Sequence, residues 1–371
     1  MSSKEQDKLI NFIKGVAGDE HLKIEEDLGN GFVRLRVSEA ERRQAKHDIR
    51  FAEDVVIELI RNSRDAGCRN IFVAFHKDKD IRNIVIIDDG SGIPSNLMPR
   101  IFEPRVTSKL ETVVTDKYGI HGRGMALYSI KSNVEDVDIV ASAINRGSVI
   151  RVRVNTGKLP ERHDQSTFPI TKMHRGEINV VKGPHNILRL LTEFCIEHPE
   201  LKIFFGSPAQ VLATMYDLSQ NLLTSNKGGK AVFLENFEEG VLPLWQCTGF
   251  IADVKALMEI SKTYYGLDVS QRNVHRIFSG EIESLDDLHS ILISKHKNSV
   301  TKRVSGVDLS CSTNLVKYIQ KDDLDILSKG IEKEFNKIGN KYFLHLKGDP
   351  KIWREKNKIK ILLEVEGEDD F

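Results

Sequence analysis

The polar and apolar positions of this chain change period several times before residue 160. Residues 22–37 (LKIEEDLGNGFVRLRV) alternate around Gly29-Asn30-Gly31, which predicts a β-hairpin. At Ser38 the period becomes helical. Ser38 and Glu41 have capping-box spacing, Phe51, Val55, Val56, Leu59 and Ile60 form one apolar stripe, and Gly67 stops it. Residues 38–67 therefore predict one long helix or two consecutive ones. Strands follow at Asn70–Phe75 and Asn83–Asp88, then a polar, loop-rich stretch over 93–118. A glycine cluster then opens an apolar helix, Met125–Lys131, and strands at 136–142 and 148–154 close the region. That order predicts an α+β sandwich, a mixed sheet with helices on one face.

Beyond Pro160 the pattern turns mainly helical over 183–225, with a break at Gly206-Ser207-Pro208, and residues 226–231 read as a flexible loop. Residues 250–296 predict a compact helical module broken at Gly266 and Gly280. The tail predicts a helix near 322–338, strands near 341–347 and 358–365, and a solvated acidic end, Glu366–Asp370. The expected division is an N-terminal helix and hairpin (1–45), a sandwich domain (46–158), a linker and helical region (159–245), a helical module (246–300) and an α/β tail (301–371).

Leu9, Ile10, Ile13 and Val16 give the N-terminus helical spacing, but Asn11 and Lys14 interrupt any signal-like apolar core. No apolar run approaches the roughly twenty residues of a membrane span, so a cytoplasmic protein without a membrane partner is expected. Lys plus Arg and Asp plus Glu are equal at 54 each, so no global charge points to nucleic acid. Four scattered cysteines without a C-x-x-C pair argue against a zinc site or a disulfide framework.

Three short motifs carry the chemistry. Glu58, Asn62 and Asp65 recur at four and three, which places three polar groups along one helix that already has an apolar stripe. Asp88-Asp89-Gly90-Ser91-Gly92 ends an apolar strand, so an acid leaves the core into a glycine turn where it can meet a ligand. Gly119, Gly122 and Gly124 precede a helix, and glycines there let backbone N–H groups and the helix N-terminus approach phosphate oxygens. Singly, these are a surface helix, a turn and a helix start. In this order they resemble the N, G1 and G2 boxes of the GHKL (Bergerat-fold) ATPase superfamily, which includes gyrase B, the ninety-kilodalton heat-shock chaperone, histidine kinases, MutL and topoisomerase VI B subunits.

The resemblance implies an ATP site with Mg²⁺. Asn62 matches the metal-binding asparagine and Glu58 the general base that polarises the attacking water. Asp88 matches the acceptor of the adenine amine, with Gly90 and Gly92 beside it and Asp89 where many members carry asparagine. Asp65 lies on the same helix. Gly119, Gly122 and Gly124 match the phosphate loop, which also holds His121 and Arg123, and Ser148 after Gly147 resembles the hydroxyl of the last box. Phe102-Glu-Pro-Arg-Val-Thr107-Ser-Lys109 resembles both the histidine-kinase F-box and the topoisomerase VI B T/S-K stretch. This places a mobile lid over about 95–120, with little apolar surface of its own. Lys109 is either a phosphate contact or a solvated lysine, and His121 is either backbone-orienting or exposed. Glu58 as an ion-pair partner of Arg61 or Arg64 is the plain alternative to Glu58 as a base. No Walker A sequence is present.

His47-Asp48 lies too close to Glu58 for a separate phosphoacceptor hairpin, which disfavours a two-component sensor. Residues 250–293 faintly resemble the helix-two-turns-helix insert of topoisomerase VI B. The expected function is an ATPase driving a lid or homodimer clamp with DNA or a DNA-cleaving partner subunit. The alternative is a nucleotide-dependent regulatory or interaction module, or a histidine-kinase-like protein, with little turnover of its own.

Overall fold

The computed structural model describes residues 24–108, 114–116, 119–121, 124–174, 177–225, 242–301, 321–355 and 358–367. The expected N-terminal helix, the 226–231 loop, Lys109, Gly122 and Arg123 lie outside them. The chain divides into two compact units, Met1–Ile293 and Ser294–Phe371.

The first unit opens with the hairpin of β1 (Ile24–Gly29) and β2 (Phe32–Leu35). Two helices follow, α1 (Glu39–Asp48) and α2 (Ala52–Asp65). The Ser38–Glu41 capping box starts α1, and extended backbone at Ile49 and Phe51 separates the two helices. Next come β3 (Asn70–Asp78), β4 (Ile81–Asp88), β5 (Val106–Thr107), and the short pair β6 (Val114–Asp116) and β7 (Gly119–His121). Helix α3 (Ala126–Asn133) leads into β8 (Asp136–Ala143) and β9 (Gly147–Asn155). A hairpin of β10 (Ile170–His174) and β11 (Glu177–Lys182) precedes α4 (Ile187–Glu197), β12 (Lys202–Gly206) and α5 (Pro208–Ser225). A 3₁₀ turn (Leu244–Phe250), α6 (Val254–Thr263), α7 (Gln271–Phe278) and the start of α8 (Leu288–Thr301), which continues past Ile293, complete the series.

The main sheet has the order β12-β3-β4-β9-β8, with β12 parallel to β3 and every other pair antiparallel, so it is mixed as expected. Strand alternation divides its side chains between two cores. On one face Ile71, Val73, Ile84, Ile86, Ile150 and Val152 meet Val55, Val56, Leu59 and Ile60 of α2, Ile130 of α3 and Leu191 and Phe194 of α4. On the other, Phe72, Ala74, Val85, Ile87 and Val149 pack with Leu212 and Met215 of α5, Trp245, Leu257 of α6 and Val274 of α7. Helices α2, α3 and α4 thus lie on one face, and α5, α6 and α7 cover the second.

Two local expectations are corrected. Residues Lys202–Gly206, expected within a helical region, are the parallel edge strand β12. The apolar run Ile203–Phe205 is too short for its periodicity to distinguish strand from buried helix. The stretch after Pro94 is not poor in apolar contacts: Leu97, Ile101, Phe102 and Val106 are buried with Leu28 in a small core of their own. Their spacing matches no regular element, so the sequence pattern concealed them. Residues up to Ser108 are therefore packed structure.

In the second unit, α9 (Lys321–Tyr342) is followed by β13 (Leu344–Leu346), which pairs antiparallel with β16 (Val365–Gly367). Strands β14 (Lys351–Glu355) and β15 (Lys358–Leu362) form a hairpin between them.

Candidate functional site

A cavity of about 820 Å³ opens between α2, the end of β4, β5 and the N-terminus of α3, a size within the range of small-molecule sites. Glu58, Asn62, Asp65, Asp88, Gly92, Thr107, Gly124 and Ser148 all line it. Helix α2 buries its apolar stripe against the sheet, which leaves the Glu58–Asn62–Asp65 side to face the cavity. Strand β4 ends here because Gly90 and Gly92 turn the chain away.

Asp88 is almost wholly buried and sits at the centre of a hydrogen-bond cluster. Its Oδ2 accepts from Ser148 Oγ at 2.6 Å and from Ser63 Oγ at 3.0 Å, and its Oδ1 accepts from the Gly90 amide at 2.9 Å. Burial pushes its pKa up, and these three donors hold it back. The result is a fixed, desolvated acceptor at the cavity wall. The antiparallel pairing of β4 with β9 sets Asp88 opposite Ser148, so the two motifs meet through sheet register.

Glu58 is mostly buried, and burial pushes its pKa up; Arg61 opposes that shift, donating from Nη1 to Glu58 Oε1 at 2.7 Å. The ion pair expected as the alternative to a base is therefore present, while the same carboxylate lines the cavity. Arg64 instead binds Asp65 Oδ1 through Nε and Nη2 at 2.9 and 2.7 Å. Asn62 Nδ2 is buried without a hydrogen-bond partner. Helix α3 begins at Met125 with no side chain capping it, so its first-turn N–H groups are not occupied by a side-chain cap.

Residues 49–183 match the family described as histidine kinase-, DNA gyrase B-, and HSP90-like ATPase. This chain carries a GHKL ATPase domain. Among curated proteins, it is 38% identical over 182 residues to the DNA mismatch repair protein MutL of Thermodesulfovibrio yellowstonii, covering 44% of this chain and 33% of that protein. It is 35% identical over 130 residues to MutL of Halothermothrix orenii (34% and 20% covered). It is 30% identical over 166 residues to MutL of Thermus thermophilus (41% and 28%). The matched part is thus about a third or less of each relative's length.

Within the GHKL domain, some expected positions behave differently from their motif reading. Asp89 points away from the cavity: its carboxylate accepts from the Arg69 and Asn70 amides and the Asn70 side chain at 2.6–2.9 Å, with Trp245 Nε1 at 3.4 Å. It ties the 3₁₀ turn to the start of β3 and does not line the cavity. Gly92 has φ +69°, and a Cβ there would lie 1.9 Å from the Ala143 carbonyl oxygen. The fold itself demands this glycine, before any ligand does. Gly90 contributes its amide to Asp88 and does not line the cavity. Gly119 and His121 belong to β7, paired with β6, and Lys109, Gly122 and Arg123 fall outside the described residues.

Sequence reading missed Ser63, whose hydroxyl belongs to the Asp88 cluster, and named Arg61 only as one of two candidate partners for Glu58. Both sit inside the first motif, so adjacency was the available signal. It also missed Arg189 and Glu193 of α4, which line the cavity as well. They lie more than a hundred residues from Glu58 in sequence, and nothing local could have pointed to them.

Proposed function

We propose that the GHKL domain binds ATP with Mg²⁺ and hydrolyses it, and that the nucleotide cycle drives a lid or homodimer clamp acting with a DNA-repair partner. The observation that carries this reading is the Asp88 cluster. A buried carboxylate fixed by two hydroxyls and an amide, at the wall of a cavity large enough for a nucleotide, is an acceptor built for an amine such as that of adenine. Asn62 fits a role toward metal and phosphate. Its side-chain amide has hydrogen-bonding capacity the folded chain leaves unused, and an amide oxygen suits a hard divalent ion. Bound Mg²⁺ would neutralise phosphate charge. Glu58 would accept a proton from the attacking water, while the glycines before α3 and its N-terminus receive phosphate oxygens.

The matched relatives are mismatch-repair proteins, which supports a DNA-repair partner. They lend no support to a topoisomerase VI B-like role for residues 250–293. A second reading, a nucleotide-sensing module with little turnover, is favoured by one observation: Glu58 is buried and already paired. Single-turnover hydrolysis separates the two. Glu58→Gln should bind ATP as the wild type does and hydrolyse it at least about a hundredfold more slowly. Equal rates in both proteins would leave the sensing reading in place.

A further inference from the structure

Arg61 is among the largest fully buried side chains of the protein, with its guanidinium held inside the fold on α2. Such a group is costly to bury, and the packing of α2 could be met by an apolar residue of similar volume. One turn earlier, Glu58 gives Oε1 to Arg61 Nη1 at 2.7 Å, while Oε2 makes no hydrogen bond to any described residue. The two oxygens of one carboxylate are therefore in different situations, one anchored and one left to the cavity that Glu58 lines.

We propose that Arg61 is the positioning residue for Glu58, anchoring Oε1 so that Oε2 alone is presented to a water in the cavity. The proposal rests on the reading of Glu58 as a base. A carboxylate on a two-bond stem has several rotamers, and a charge-assisted bond from a side chain that cannot swing into solvent selects one of them. Arg61 also opposes the neighbours that discourage ionisation. Burial and the nearby Asp48 and Asp54 all push the Glu58 carboxyl toward its protonated, inactive form, and Arg61 pushes the other way. The other charged or titratable groups lining the cavity are Glu41, His47, Arg50, Glu53, Asp65, Asp88, Arg162, His185, Arg189 and Glu193, of mixed sign. The pairing thus aims the base and favours its charged form.

The test uses the full chain with Arg61→Gln, Arg61→Lys, Glu58→Gln and the double variant Arg61→Gln with Glu58→Gln. Arg61→Gln should lower kcat at least about tenfold with KM and calorimetric ATP affinity near wild type, and its acid limb should move to higher pH. Arg61→Lys, which keeps the charge but not the planar fork, should restore the pH profile and only part of the rate. A readout without nucleotide accompanies these. A buried carboxyl whose folded pKa is raised is protonated at acid pH and costs stability as pH rises through that pKa. Arg61→Gln should therefore lose thermal stability mainly toward neutral pH, and the double variant should regain it. If Arg61→Gln is too unstable to assay, the Arg61→Lys kinetics and the double variant's melting still decide. A rate and pH profile unchanged in both Arg61 variants, with Glu58→Gln impaired, would overturn the positioning role and leave the base standing. Wild-type hydrolysis by Glu58→Gln would overturn both.

Discussion

Replacing Asp88 by Asn changes one atom at the centre of the site, and the structure dictates how the rest responds. The amide oxygen must take the place of Oδ1, because the Gly90 amide 2.9 Å away can only donate. The new NH₂ then occupies the place of Oδ2 and faces the hydroxyls of Ser148 and Ser63, each of which can rotate to accept. Each buried group keeps at least one hydrogen bond, although the two hydroxyl protons lose Oδ2 as acceptor, so the variant should fold. It also no longer buries a charge. Because burial raises the folded pKa of Asp88, its charge costs stability as pH rises through that value. The variant should therefore match or slightly exceed wild-type stability at neutral pH, with the difference vanishing at acid pH. Binding should suffer, since an amine of the ligand now meets a neutral amide in place of a carboxylate. Loss of one charge-assisted bond, about 1.5–3 kcal/mol, corresponds to roughly ten- to 150-fold weaker ATP affinity. Wild-type affinity should itself fall on acidification, starting above the usual carboxylate range, and Asp88→Asn should show no such fall. Calorimetric titration with a slowly hydrolysed ATP analogue, alongside circular-dichroism melting, measures both. A folded Asp88→Asn protein with unchanged affinity would refute the adenine-acceptor assignment.

Other outcomes follow from neighbouring contacts. Ser148→Ala removes the 2.6 Å donor to a buried carboxylate and should cost about 1–3 kcal/mol in denaturant unfolding, more at neutral than at acid pH. Gly147→Ala places a Cβ 1.8 Å from the Asp88 carbonyl oxygen at φ +91°, so calorimetry should show a melting point several degrees lower; an unchanged value would refute the steric account. Amides of Leu97, Ile101 and Val106 lie in packed structure, so their hydrogen exchange should be similarly slow with and without ATP. Fast exchange there in the nucleotide-free protein would show that this cluster opens.

The elements and chemistry of the GHKL domain were legible in the sequence because both depend on local rules. A period of 3.6 with a buried stripe makes α2, a capping box starts α1, and glycine after an acid-tipped strand makes the turn beyond Asp88. The residue types at those turns were enough to suggest a nucleotide. The tertiary structure decided what could not be local. Strand register placed Ser148 against Asp88, and the β8–β9 turn required Gly92 through the Ala143 carbonyl. The stretch Lys202–Gly206 became a strand because β3 offered an open parallel edge, a partner 130 residues earlier in the chain that no window of sequence contains. Asp89 and Asp88 are adjacent and alike, yet one faces the cavity and the other closes the start of β3. Successive residues leaving a strand point to opposite sides, and only the packed sheet defines which side is the site. Likewise the sequence offered both Arg61, three residues after Glu58, and Arg64, six after it; the i,i+3 pair meets on α2, and Arg64 binds Asp65 instead.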